Sequence, residues 1–266
     1  MGFLPRAADR EPMSRRGESL RLATRGSALA RRQAASVKER LAQRHTDVEL
    51  VEVTTTGDEI RDDLIHELGT TGAFVRSLDE RVLSGDCDAA VHSMKDMPTD
   101  QPDDLVVAGI PERGPPGDVL VTPDGTALAD LPDGATVGTS SLRRQAQLLA
   151  RRPDLDVTGL RGNVDTRVEK LLAPSLAREY TRRIDAHEDS DEGDDEHGDS
   201  NAEATDEGYD QSPQEWFDGL AEIERQALER EVDVEYDAIC LAEAGLDRSG
   251  LLGQLEAERL DPQSFV

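Results

Sequence analysis

Short apolar runs alternate with helical patterns over the first two thirds of the chain. Runs rich in valine, leucine and isoleucine predict strands at residues 20–24, 48–55, 89–92, 105–110, 119–122, 135–138 and 157–160. Apolar positions at helical spacing predict helices from Ser27 to Arg44, Phe74 to Leu83, Leu142 to Arg151 and Val164 to Leu172. Strands alternating with helices indicate an α/β protein with mostly parallel sheets.

The pattern changes after Leu172. Fourteen Asp and Glu residues but no Lys or Arg lie between Asp185 and Glu215, and such a run buries too little apolar surface to order itself. It predicts a disordered core, 185–215, inside an acidic insert at 174–235 with helical flanks. We interpret the insert as a solvated surface insertion, with a partner-binding loop as the alternative. Residues 236–246 then predict a buried strand and a turn, followed by a short helix to about Arg259.

These patterns predict two lobes. We expect a disordered extension at 1–18, a first α/β lobe at 19–111, a Pro- and Gly-rich hinge at 112–118 and a second α/β lobe at 119–260 that contains the insert. Residues 261–266 are expected to begin a return to the first lobe. The apolar end at Phe265 and Val266 is expected to be a cut through a longer fold.

The net charge and the lysine content limit the classes of partner and environment that suit this chain. The chain has 266 residues, 30 Lys and Arg against 57 Asp and Glu, and a formal net charge of -27. That charge argues against nucleic acid and anionic membranes as partners. Lysine occurs only at positions 38, 95 and 170, which favours a protein adapted to high salt; an acidic protein with one acidic insert is the alternative. With no secretory signal or apolar span, we expect a cytoplasmic location.

The two cysteines are isolated. Cys87 and Cys240 form no CxxC pair, so we interpret both as small packing residues and expect no metal.

Two segments of the second lobe predict an anion site. GTSSLRR, ending at Arg144, places Thr139, Ser140 and Ser141 after a strand and two arginines in the first turn of a helix, where free N–H groups and guanidiniums suit a carboxylate or phosphate. LRGNVDTR, at 160–167, adds Arg161 and Arg167 beside a second strand end. Scattered surface arginines are the alternative.

The first lobe also has charged and hydroxyl residues directly after predicted strands. ATRGS places Arg25 and Ser27 at a strand-to-helix turn, and VHSMKDMP places Ser93, Lys95 and Asp96 after a short strand. Lys95 and Asp96 fit either a plain ion pair or a catalytic carboxylate beside a substrate-fixing cation.

Five long motifs, in order, resemble porphobilinogen deaminase: ATRGSALA, GAFVRSLDERVLSGDCDAAVHSMKDMP, VGTSSLRRQAQLLARRPDL, LRGNVDTR and YDAICLAEAGLDRSGL. The resemblance covers about residues 20–172 and 236–252. It implies a transferase of tetrapyrrole and heme biosynthesis that joins four porphobilinogen molecules head to tail into hydroxymethylbilane and releases ammonia. It also implies a monomer with a dipyrromethane cofactor held by a cysteine thioether. The resemblance further implies two lobes like those of type II periplasmic binding proteins around a cleft, and a third α+β domain that carries the cysteine.

The resemblance also assigns roles to residues. Asp96 matches the catalytic aspartate, and Lys95 matches a lysine that holds cofactor carboxylates. The arginines that match binders of acetate and propionate side chains are Arg25, Arg143, Arg144, Arg161, Arg167 and Arg248. Hydroxyl donors around the cofactor and substrate are matched by Ser27, Ser93, Thr139, Ser140 and Ser141, and Phe74 matches an apolar residue over the cleft.

Two departures from the family pattern affect these expectations. The loop before Phe74 contains no lysine, and neither cysteine matches the attachment site. We therefore expect the third domain to be missing, with the attachment cysteine on a longer chain or a second polypeptide. The first lobe's sheet would then expose an apolar edge and aggregate. The alternatives to an active transferase are an inactive fragment and a two-lobed module that binds small carboxylates without catalysis.

Overall fold

The computed structural model describes residues 19–43, 47–53, 73–94, 97–99, 101–192, 209–263 and 265. The chain divides into two compact units, Met1–Arg113 and Gly114–Val266. Both units are α/β, in agreement with the predicted class. In the described ranges, every helix is too short or too polar to cross a bilayer.

The first unit is a parallel sheet with helices. Its elements are β1 (Leu20–Arg25), α1 (Ala28–Ala42), β2 (Val48–Val53), α2 (Ala73–Leu83) and β3 (Ala89–Ala90). The strand order is β2-β1-β3, and both pairings are parallel. As predicted, Ser27 caps α1, because its side chain accepts a hydrogen bond from the Ala30 N–H. Ala23, Val53, Leu78 and Cys87 form the small core.

The strand predicted at 105–110 is not formed. The segment has no secondary structure, and none of the described strands pairs with it. The side chain of Val106 is 83% exposed and that of Ile110 is 66% exposed. Apolar composition predicted a strand here, but a strand also needs a hydrogen-bonded neighbour.

The second unit surrounds a mixed sheet. Its elements are β4 (Asp118–Val121), β5 (Thr136–Thr139), α3 (Leu142–Arg151), β6 (Asp156–Gly159), α4 (Val164–Glu192), α5 (Pro213–Gly219), α6 (Glu222–Leu228), β7 (Ala238–Ala242), α7 (Glu243–Ser249) and β8 (Ala257–Arg259). The strand order is β6-β5-β7-β4-β8. Strands β6, β5 and β7 are parallel, and β4 is antiparallel to β7 and β8.

The helix predicted from after Leu246 to about Arg259 is wrong for most of its length, because the observed helix α7 begins earlier, at Glu243, inside the range predicted as strand and turn. Helix α7 ends at Ser249, since Gly250 adopts a left-handed conformation with φ of 72°. Ala257–Arg259 forms β8, which pairs with β4.

Helices cover both faces of the second sheet. Successive residues of β7 point to opposite faces, so that Ile239 packs with the α4 residues Val168 and Leu171 on one face. Cys240 packs with Leu148 of α3 on the other, and Phe265 lies buried in that same cluster.

Helix α4 reaches into the acidic insert. It runs for 29 residues, past the predicted end at Leu172, and α5 and α6 pack beside it. Rings of Tyr180 and Trp216 stack with centroids 6.1 Å apart. The helices therefore enter both ends of the range predicted as disordered, and residues 193–208 lie outside the described residues.

Gly138 of β5 packs so closely against neighbouring side chains that it leaves no room for a side chain of its own. A Cβ there would lie 2.7 Å from the Tyr236 ring and 3.1 Å from Cβ of Leu160. We expect Gly138→Ala to lower the free energy of unfolding by about 1–3 kcal/mol, the usual cost of overpacking a dense core. Urea unfolding measures this.

The matched control is Gly159→Ala at the end of neighbouring β6, where an added Cβ meets no atom within 4 Å. Equal losses in the two variants would contradict the packing explanation. In that case the cause would be backbone flexibility.

Candidate functional site

Three strand ends and one strand start meet at one edge of the second sheet, which we call the carboxyl edge. Thr139 lies opposite Gly159 in the parallel β5–β6 pair, and Asp118 lies opposite Ala242 in the antiparallel β4–β7 pair. Helix α3 begins at this edge, directly after β5, and α4 begins shortly after β6. The two helix starts direct free N–H groups and positive dipole ends to one place.

The three hydroxyls of GTSS hold this edge together. Thr139 Oγ1 donates to the Cys240 carbonyl at 3.2 Å and accepts from the Ser141 N–H at 3.3 Å. Ser140 Oγ donates to the Leu160 carbonyl. Ser141 Oγ caps α3 by accepting from the Arg144 N–H at 3.4 Å. These bonds tie β5 to the strands on both sides; the predicted roles of the hydroxyls as ligand donors stay predictions.

Arg143 and Arg144 share one buried carboxylate. Nη2 of Arg143 lies 2.8 Å from Oδ2 of Asp118, and Nη2 of Arg144 lies 2.9 Å from Oδ1. The Asp118 side chain is 4% exposed, against 46% for Arg143 and 14% for Arg144. Two arginines in the first turn of a helix oppose the helix dipole, and Asp118 supplies one negative charge beside them.

Arg167 is half-buried, its Nε atom is fully buried, and it forms an ion pair with no acidic residue among those that the structure describes. Burial, together with repulsion from Arg144, lowers the pKa of Arg167 below its ordinary value. The Nε atoms of Arg144 and Arg167 are buried and find no hydrogen-bond partner within the described ranges. Two donors held in this way fit an anion that the protein itself does not supply.

Arg161 lies in the turn between β6 and α4, the helix that carries Arg167. Gly162 permits the turn, with φ of 116° and a hypothetical Cβ only 2.7 Å from Thr166. We call Arg143, Arg144, Arg161 and Arg167 the arginine rim. Arg248 is placed differently: it is exposed in the last turn of α7, close to Gly114.

The first unit holds the other predicted site residues. Arg25 ends β1, and Ser27 begins the next helix. Val91 donates its N–H to the Ala23 carbonyl, so that the chain leading to Ser93 runs beside the end of β1. Phe74 lies in the first turn of α2. Lys95 and Asp96 lie outside the described residues.

Sequence reasoning missed two acidic residues. Asp118 was assigned to the hinge, although an aspartate directly before the apolar run VLV is the signal of a buried charge that needs a partner. Asp79 of α2 pairs with His92, whose Nε2 lies 3.0 Å from Asp79 Oδ1, and both side chains are 14% exposed. This pair joins α2 to the segment that leads to Ser93.

Both thiols are buried, as predicted. Burial raises the pKa of Cys87, and it raises the pKa of Cys240 from 9.0 to about 12. Since the thiolate is the nucleophile, neither residue is suited to form a thioether with a cofactor.

We therefore expect a thiol reagent to label no cysteine in the native protein and two after unfolding in urea, at pH 8. Because burial raises the pKa of Cys240, its thiol ionises in the unfolded chain before it does in the folded one, so the fold is expected to lose stability as pH rises from 9 towards 12. Mass spectrometry of the labelled protein measures the first effect. Rapid labelling of either thiol in the native state would contradict the burial.

Comparisons with known proteins agree with these features. Residues 20–184 match the family model described as porphobilinogen deaminase, dipyromethane cofactor binding domain. A probable porphobilinogen deaminase from Halobacterium salinarum is 50% identical over 94% of this chain and 70% of its own length. A probable porphobilinogen deaminase from Methanococcoides burtonii is 50% identical over 57% of this chain. A porphobilinogen deaminase from Syntrophotalea carbinolica is 51% identical over 58% of this chain.

The chain spans 70% of the Halobacterium relative and about half of the length of the other two, 49% in each case. The family model covers well over half of the chain and includes β1, the GTSS segment and the arginine rim. The chain belongs to the porphobilinogen deaminase family.

Proposed function

We propose that this chain is the cofactor-binding and catalytic part of a hydroxymethylbilane synthase. The reaction joins four porphobilinogen molecules head to tail into linear hydroxymethylbilane, with loss of ammonia. The observation that carries the proposal is the arginine rim, which lies inside the matched family region in a chain of net charge -27. Two of its members, Arg144 and Arg167, each have a buried Nε that finds no hydrogen-bond partner among the described residues. Acetate and propionate side chains of pyrroles are anions of the kind that these donors accept.

The residues present fit the dipyrromethane cofactor of the family. Arg144 and Arg167 would hold its carboxylates through the donors left open, and Arg143 and Arg161 flank them on the same edge. When bound, the dipyrromethane supplies the terminal pyrrole carbon to which the first substrate is joined. The protein itself orients the carboxylates and keeps the ring system in one register, which converts an encounter in solution into a positioned reaction.

The other roles in the site rest on the resemblance. We propose Asp96 as the carboxylate that stabilises positive charge on pyrrole nitrogens and assists proton transfer. Lys95, Arg25, Ser27 and Ser93 are proposed to bind cofactor or substrate from the first unit. Phe74 is proposed to cover the ring system, and Arg248 to bind a substrate carboxylate.

The finer architecture is also a proposal. We infer two lobes of the type II periplasmic-binding-protein kind, a monomer, and a cytoplasmic location. The buried, high-pKa thiols support a cofactor cysteine outside this chain, on a longer product of the gene or a second polypeptide.

The decisive experiment combines intact mass with turnover. The protein from its native cell is weighed, and porphobilinogen consumption, ammonia release and hydroxymethylbilane formation are followed. A mass that includes a dipyrromethane, together with all three activities, is the expected result. Reversible porphobilinogen binding without ammonia release would instead support the carboxylate-binding module.

Salt dependence is a further prediction. Self-repulsion in a chain of net charge -27 opposes the compact state, and salt screens it over distances of about 3 Å at 1 M against about 10 Å at 0.1 M. We expect the midpoint of thermal unfolding to rise by at least about 10 °C between 0.1 M and 2 M KCl. Stability that falls or stays level over this range would contradict the proposed adaptation to high salt.

A further inference from the structure

The buried carboxylate of Asp118 pairs with two members of the arginine rim, Arg143 and Arg144, but lies on a different element from these arginines. It is the first residue of β4, which enters the carboxyl edge antiparallel to β7. Each of its two oxygens takes one guanidinium, Oδ2 from Arg143 and Oδ1 from Arg144. One side chain therefore fixes two arginines that neighbour each other on α3.

The arrangement leaves a defined set of donors. Asp118 occupies Nη2 of Arg144 and leaves Nε buried without a hydrogen-bond partner among the described residues. Arg167, which repels Arg144, brings a second buried Nε. Asp118 offsets part of the positive charge that Arg143 and Arg144 carry.

We propose that Asp118 is a positioning residue that sets both the orientation and the charge of the arginine rim, so that the rim selects a dicarboxylate ligand over a small inorganic anion. This inference rests on the proposed function for the identity of the ligand, a pyrrole with two carboxylate side chains. The charge argument itself requires no turnover.

Asp118 affects anion selection because it is the counter-ion of Arg143 and Arg144. Without Asp118, Arg143 and Arg144 would lose their shared counter-ion and would bind anions from solution. Small anions such as phosphate would then bind at the first turn of α3. The buried carboxylate already satisfies this demand, and it holds each guanidinium plane in a fixed direction.

The test is Asp118→Asn, which keeps the size of the side chain and removes its charge. Inorganic phosphate and porphobilinogen are each titrated at constant ionic strength, and affinity is measured from the shift in unfolding midpoint. We expect phosphate affinity to rise about tenfold and the ratio of porphobilinogen to phosphate affinity to fall at least about tenfold. A purely structural role for Asp118 would lower stability without changing that ratio.

Glu169→Gln is the matched control. Glu169 lies on α4, outside the carboxyl edge, and is also buried, with 6% of the residue exposed. It accepts a hydrogen bond from Arg230 Nε at 2.6 Å. This variant loses a buried charge of the same sign, and we expect its phosphate affinity to stay at the wild-type value. If Asp118→Asn changes phosphate affinity no more than Glu169→Gln does, the inference is overturned.

A second variant keeps the test valid if Asp118→Asn does not fold. Arg143 is half exposed, so Arg143→Gln is expected to fold, and it leaves the whole Asp118 charge to Arg144. We expect phosphate affinity to fall at least threefold, against no change for the exposed Arg182→Gln on α4. Equal phosphate affinity in the two arginine variants would overturn the inference. Failure of porphobilinogen binding in the wild type, with the phosphate results as expected, would count against the proposed function alone.

Discussion

Asp96→Asn is expected to lower kcat for porphobilinogen consumption by about 10²- to 10⁴-fold, the usual contribution of a positioned acid–base group. The amide keeps the size of the side chain but carries no negative charge for cationic intermediates and accepts no proton. KM should change little, because substrate binding is proposed to rest on the arginines. Single-turnover and steady-state kinetics on the intact gene product separate the two quantities.

The control for this prediction is Asp103→Asn, an exposed carboxylate of the same unit. It is expected to leave kcat unchanged, which excludes a general effect of lowering the negative charge. Wild-type turnover in Asp96→Asn would contradict the proposed role of this carboxylate. Porphobilinogen affinity that rises without any turnover in the wild type would favour the binding module, since that module gains when a repelling carboxylate is removed.

Arg167→Gln is expected to have opposite effects on ligand binding and on stability. The lost charge-assisted hydrogen bonds correspond to about 1.5–3 kcal/mol, or a 10- to 100-fold weaker affinity for porphobilinogen. The ligand-free protein should become more stable, because a buried guanidinium without an acidic partner among the described residues no longer has to be kept out of water beside Arg144. Urea unfolding without ligand and titration with porphobilinogen measure the two effects.

Arg182→Gln is the matched control for this variant too. Arg182 lies on the same helix, and its exposed side chain pairs only with Glu179, at 3.0 Å, among the described residues. Such surface pairs contribute about 0–1 kcal/mol, so we expect little change in stability and none in affinity. A stability loss in Arg167→Gln with unchanged affinity would mean that Arg167 supports the fold and does not bind an anion.

Local sequence predicted most of the elements that position the site. Ser27 was predicted as a helix cap from its place before an apolar helical pattern, and it accepts the expected backbone N–H. Ser141, which was predicted as a ligand donor, caps α3 in the same way. Caps and first-turn arginines depend on a few neighbouring residues, so one sequence is enough to find them. The α/β class follows from alternating periodicities for the same reason.

Long-range pairing decided the elements that the sequence did not predict. Residues 105–110 are as apolar as a strand but pair with none of the strands that the structure describes, whereas residues 257–259 are polar but pair with β4. Apolar composition reports burial, whereas a strand is made by hydrogen bonds to a segment that lies far away in sequence.

For the site too, some features followed from local sequence and others depended on the tertiary structure. The sequence by itself determined that arginines follow two strand ends, that hydroxyl residues precede a helix, and that the five motifs belong to one family. Only the tertiary structure decided that Asp118, 25 residues from Arg143, pairs with Arg143 and Arg144 in the first turn of α3. Only the tertiary structure also decided that Arg144 and Arg167 each keep a buried Nε without a hydrogen-bond partner among the described residues. Charge balance inside a protein depends on distance and burial, and these are set when strands from separate parts of the chain meet at one edge.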